Sequence, residues 1–146
     1  MTLSRINTAL TLAGAAFILY IGLNYLITPE TFAAGFGLPE WPTGDAVAFM
    51  NLKGVRDTAS GVLILALLAT GQRFAMGVTM VAMSLVPIGD MLTVLSYHGS
   101  TATALGVHGF TAALVLLTGG LLIRESRTAA AESAQAPATE SAPTAA

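Results

Sequence analysis

Four apolar runs, each long enough to cross a bilayer, constrain this chain more than any other feature. They cover residues 6–27, 46–69, 74–96 and 102–123. Each is about 20 residues or slightly more, the length needed to span ~30 Å of hydrocarbon at 1.5 Å per residue. Helices of soluble proteins are usually shorter and amphipathic. Composition agrees: 54% of the residues are hydrophobic and 10% charged, with a mean hydropathy of +0.73. Soluble domains average about 25% charged residues. The expected fold is all-α, a four-transmembrane-helix bundle with a short interfacial segment between helices 1 and 2.

The same arithmetic excludes other classes. Six Lys and Arg against eight Asp and Glu leave no clustered positive charge for phosphate, so no nucleic-acid partner is expected. With no cysteine there is no disulfide framework, thiol nucleophile or thiolate metal site. The first run has an Arg5 flank and small residues at Ala13–Ala16, as a secretory signal would. Its apolar stretch continues to Ile27, beyond the usual ~7–15 residues, so it is read as a retained helix.

Loop charges set the orientation. Arg5, Arg73, Arg124 and Arg127 flank the runs on one side, whereas the loop from Thr28 to Asp45 carries Glu30, Glu40 and Asp45. The positive-inside rule then predicts a multi-pass cell-membrane protein with both termini cytoplasmic. In that long loop, Thr28-Pro29-Glu30 has the form of an N-cap followed by proline at the first helical position. A short interfacial helix anchored by Trp41 and an irregular loop broken by Pro39 and Pro42 are both compatible with it. The membrane domain is expected over residues 1–127 and a disordered cytoplasmic tail over 128–146, which is Ala-, Ser-, Thr- and Pro-rich without a large apolar side chain.

Ionisable residues inside the runs carry what functional information there is. Lys53, Arg56 and Asp57 lie in the second, Asp90 in the third and His108 in the fourth. A charge at a helix centre costs ~2.5–3.5 kcal/mol, so three cost roughly 9. The ten Val, Leu, Ile and Phe residues of the second run return only about 5 kcal/mol at ~0.5 each. That helix needs partners. At 100° per residue, Lys53, Gly54, Arg56, Asp57, Ser60 and Gly61 share a sector of about 160°, with Lys53 and Asp57 an i,i+4 pair. The glycines on it permit close backbone approach.

Depth points the same way. Counting from the outer ends, Lys53 and Arg56 lie about 12 and 16 Å in, and Asp90 and His108 about 9 Å in. Tyr20 and Asn24, i,i+4 on the first run, lie towards the same end. The candidate ligand-binding set is therefore Lys53, Arg56, Asp57, Asp90, His108, Asn24 and Tyr20. One acid cannot compensate two cations, so Asp90 is expected across the bundle from Arg56 or Lys53, with His108 bordering the same site. Pro87 and Gly89 are expected to kink or loosen the third helix.

Three readings remain open. One is a pocket that binds or transforms a lipophilic small molecule with a polar head. Another is a non-catalytic scaffold or assembly component whose charges fix packing. The third is a small proton- or ion-coupled transporter subunit, for which the inner half offers only Thr70, Gln72, Thr79 and Ser84. No phosphate loop, GxGxxG, HExxH or nucleophile elbow is present, so the expectation leans away from an enzyme. No cofactor is implied, and two histidines without cysteine argue against a transition metal. The partners expected are membrane lipid and a lipophilic small molecule, with homo-oligomerisation left open.

The run Lys53-Gly54-Val55-Arg56-Asp57-Thr58-Ala59-Ser60-Gly61, with Pro87-Ile88-Gly89-Asp90 and Gly106-Val107-His108-Gly109, resembles a family of small four-helix integral membrane proteins of unknown function, domain of unknown function 4267. The resemblance spans roughly residues 8–123. It implies an integral membrane protein and no particular substrate.

Overall fold

A computed structural model describes residues 3–135. Among them there is no strand. The chain forms four long helical segments in up-and-down order. The first is α1 (Leu3–Ile27), and the second is α3 (Ala48–Ala69). The third is α4 (Arg73–Met83) followed by α5 (Leu85–Ser96). The fourth begins with α6 (Thr101–Thr103) and a π-helical turn (Ala104–Gly109), then continues as α7 (Phe110–Gln135). Between the first two lie the five-residue α2 (Pro29–Ala33) and a 3₁₀ turn (Gly44–Val47).

Three of these segments, Leu3–Ile27, Arg73–Ser96 and Thr101–Gln135, are long and apolar enough to cross a membrane. The expectation of four is not met on that criterion. The physical reason is local: every stretch of 18 residues within Ala48–Ala69 contains Lys53, Arg56 and Asp57.

Side chains are distributed inside-out. Ile27, Phe49, Leu85, Phe110 and Leu117 are exposed, while Asn7, Thr11, Asp57, Ser84, His108 and Thr118 are buried. A water-soluble domain places large aliphatic and aromatic groups inside and charges outside. Here the interior mixes those polar groups with a few large apolar ones such as Met76, Met80 and Leu122, and glycines let the helices approach closely. A Cβ on Gly54 would lie 2.9 Å from the Gly22 carbonyl oxygen, fixing α1 against α3. A Cβ on Gly77 would lie 2.9 Å from the Gly119 carbonyl oxygen, fixing α4 against α7.

The third segment breaks at Ser84, three residues before Pro87. Proline has no N–H to give the Met83 carbonyl, and its ring crowds that carbonyl, which interrupts the helix there. Past Ser84, α5 packs on the π-helical turn while α3 lies along α1, and α3 and α5 share no extended backbone contact.

Two local expectations are corrected. Thr28 makes no side-chain cap; its hydroxyl donates back to the Asn24 carbonyl at 3.4 Å, and α2 starts on Pro29 regardless. The fourth helix does not stop at Arg127 but runs to Gln135, into the segment expected to be disordered. The Ala-rich stretch 128–135 has high helix propensity and extends an existing helix, so it needs no nucleation. Residues 136–146 of that tail lie outside the described residues.

Candidate functional site

Lys53 is the hub of the charged cluster. Its Nζ lies 3.0 Å from Asp57 Oδ2, one turn along the same helix, and 3.5 Å from Asp90 Oδ2 on α5. Two rings complete the surroundings. Nζ is 5.4 Å from the Tyr25 centroid and 5.5 Å from the Phe36 centroid, within cation–π range. One ammonium is thus shared by two carboxylates and two aromatic faces. The Asp57 side chain is 7% exposed, whereas those of Lys53 and Asp90 are 27% and 26% exposed. Asp57 is the enclosed member of the cluster, and Lys53 and Asp90 are partly open.

The levels of the helices agree with this pairing. Lys53 is five residues from the start of α3 and Asp90 six from the end of α5. At 1.5 Å per residue both sit about 8–9 Å from the same end of the bundle.

His108 borders the site from the fourth segment. It is buried within the π-helical turn, a local widening often found at functional sites. Its Nε2–H donates to the Phe36 carbonyl at 2.8 Å, and its ring lies 4.6 Å from the Phe36 ring. The next residue, Gly37, adopts φ +101°, a conformation that suits glycine, and its carbonyl accepts from the Ser100 N–H at 2.8 Å. These two bonds hold the connection after α2 over the end of the bundle, with the Phe36 ring against Lys53.

Three members of the expected set lie elsewhere. Arg56 is exposed and makes no ion pair among the described residues. It is 60° round the helix from Lys53, enough to turn it out of the cluster. Asn24 donates its amide to the Tyr20 carbonyl at 2.8 Å, which satisfies it within its own helix. Tyr20 is 59% exposed and stands edge-on to Phe32 at 5.8 Å. Their places are taken by Tyr25 and Phe36. Tyr25 could have been found from the sequence, because it continues the inward stripe Asn7, Thr11, Ala15, Gly22 at helical spacing. Phe36 sits in an irregular connection, and no periodicity marks it.

A second polar group closes the opposite end. Arg73 Nη1 lies 3.2 Å from Glu125 Oε1, and Arg73 Nη2 donates to Thr8 Oγ1 at 2.7 Å. Asn7 Nδ2 donates to Glu125 Oε2 at 2.6 Å. The Asn7 amide oxygen is buried without a partner among the described residues.

Two shallow clefts open at the Lys53 end. One is lined by Leu38, Pro39, Glu40, Thr93 and Tyr97, and the other runs beside Gly37, His98 and Thr103. Neither is lined by Lys53, Asp57, Asp90 or His108. No group of three or more His, Asp or Glu able to hold a metal occurs among the described residues.

A family model described as a domain of unknown function (DUF4267) matches residues 15–122. No curated protein and no solved structure matches the chain.

Proposed function

The chain belongs to the DUF4267 family, a domain of unknown function, and from that premise we propose an integral protein of the cell membrane that binds a lipophilic small molecule with a polar head. All four long segments span the bilayer, both termini are cytoplasmic, and the connection 28–47 lies at the outer interface. The inside-out distribution of side chains supports the membrane setting. Arg5, Arg73, Arg124 and Arg127, which flank the long segments on one side, support the orientation.

The observation that carries the reading is the Lys53–Asp90 pair. It joins two helices that otherwise part beyond Ser84, and about a quarter of each side chain remains open. A polar head reaches the cluster between α3 and α5, and its apolar tail lies along Met83 and the aliphatic lower segments. Ionisable groups within a membrane mark functional sites by default. The reading concerns binding, and no chemical step is assigned.

The test uses the full chain in phospholipid nanodiscs carrying a lipid with a photoactivatable diazirine in its tail. Cross-links should concentrate on α3 and α5 near Ser84–Asp90. Cross-links spread evenly over all lipid-facing helices would refute the gap as a binding site.

A structural role for the cluster has its own support, since every charge on Lys53 is met by groups of the same chain. Under that reading Lys53→Met would lower the yield of folded protein without changing the cross-linking pattern of what folds.

A further inference from the structure

We propose that Arg56 holds the phosphate of a lipid headgroup at the rim of the gap between α3 and α5. This rests on the reading that α3 spans the bilayer and that the gap takes an amphiphile.

Arg56 is the cation that the cluster leaves over. Asp57 and Asp90 both turn to Lys53, and Arg56 makes no ion pair among the described residues. Its neighbours on the helix surface, Phe49, Leu52 and Leu63, are all exposed. A guanidinium on an apolar, lipid-facing surface keeps its charge, because the delocalised cation does not lose its proton in proteins. It needs an anion brought from outside the chain.

The helix geometry indicates which anion. Arg56 lies three residues beyond Lys53, so its Cα is about 4.5 Å further from the α3 N-terminus. Side chains on a helix lean towards its N-terminus. The N-terminal end of α3 is the end bearing the connection 28–47, the outer surface in the proposed orientation. Arg56 therefore reaches outward, to the level of the Lys53–Asp90 pair and towards the headgroups. Long basic side chains do this while keeping their stems on apolar surface. The guanidinium fork matches two phosphate oxygens, and the tails of the same lipid, running inward from that level, cover Leu63. Arg56 sits 60° from Lys53, so a phosphate held there stands at the lipid side of the gap rather than inside the ion-pair cluster.

The experiment is a native mass-spectrometry titration of the detergent-solubilised full chain. One arm adds phosphatidylglycerol, and a second adds diacylglycerol with the same tails and no phosphate. A third adds inorganic phosphate as competitor. The wild type should retain phosphatidylglycerol at least tenfold more tightly than diacylglycerol, and millimolar inorganic phosphate should not displace it. Arg56→Gln should reduce the preference to twofold or less, and Arg56→Lys should keep part of it with an unchanged thermal midpoint. An undiminished preference in Arg56→Gln would overturn the proposal, as would full displacement by inorganic phosphate, which would mark a free-anion site. A wild-type dimer that dissociates on Arg56→Gln without loss of lipid would also overturn it, in favour of an acid from a second copy. The diazirine experiment separates the two readings. Tail cross-links on α3 and α5 with no Arg56 dependence would reject this inference alone. An Arg56-dependent preference with cross-links elsewhere would reject the gap.

Discussion

Lys53 and Asp90 hold their charged atoms 3.5 Å apart across two helices that share no extended backbone contact. Removing either partner has unequal consequences, because Lys53 has a second acid and Asp57 has no second cation. Lys53→Met leaves the Asp57 carboxylate, 7% exposed, without its counter-charge. Stranding a buried charge typically costs ~3–5 kcal/mol. Asp90→Asn leaves the 3.0 Å Lys53–Asp57 pair intact and removes a partly exposed contact, a loss of about 1 kcal/mol or less. Unfolding of the detergent-solubilised protein by sodium dodecyl sulfate should rank them in that order. Equal losses would show that Asp57 is not held by Lys53.

His108→Phe should loosen the connection over the cluster without unfolding the bundle. The Phe36 carbonyl loses the Nε2–H donor at 2.8 Å, while the ring contact at 4.6 Å is kept. A lost hydrogen bond of this kind is worth about 0.5–1.5 kcal/mol. Amide exchange over residues 34–38 should accelerate several-fold and that of α1 should not. Unchanged exchange there would mean that the Gly37–Ser100 bond alone holds the connection.

Glycine substitutions should divide sharply by position. Gly54→Leu and Gly119→Leu force side chains into backbone 2.8–2.9 Å from the built Cβ, and overpacking of this kind costs about 1–3 kcal/mol or more. Gly14→Ala and Gly120→Ala meet nothing within 4 Å and improve helix propensity by up to about 1 kcal/mol. Thermal midpoints in one detergent should fall for the first pair and hold or rise for the second.

Arg73→Met should open the end of the bundle opposite Lys53. It removes the counter-charge of Glu125, whose side chain is 16% exposed, and the donor to Thr8. Hydrogen bonds to charged groups contribute about 1.5–3 kcal/mol, and Arg73→Met with Glu125→Gln should cost less than the sum of the two singles. Strict additivity would show that the pair is not coupled.

Much of this protein is legible in the residues taken in order. The four long segments follow from run lengths, because hydropathy and 1.5 Å per residue are local properties. The interruption at Ser84 follows from Pro87, because a missing N–H acts on its own helix. The close approach at Gly54 and Gly61 follows from helical spacing on one face. Tertiary structure decided the partners. Lys53 and Arg56 differ by 60° on one helix, and only the position of α5 settles that Asp90 meets Lys53. Tyr25 rather than Asn24 faces the cluster because α1 is held in rotation by Gly22 against Thr58 and Gly54. Asn7 meets Glu125 across 118 residues of sequence, a contact that no window along the chain contains. Periodicity shows that a face is polar, and the rotation and tilt of packed helices decide which polar group it meets.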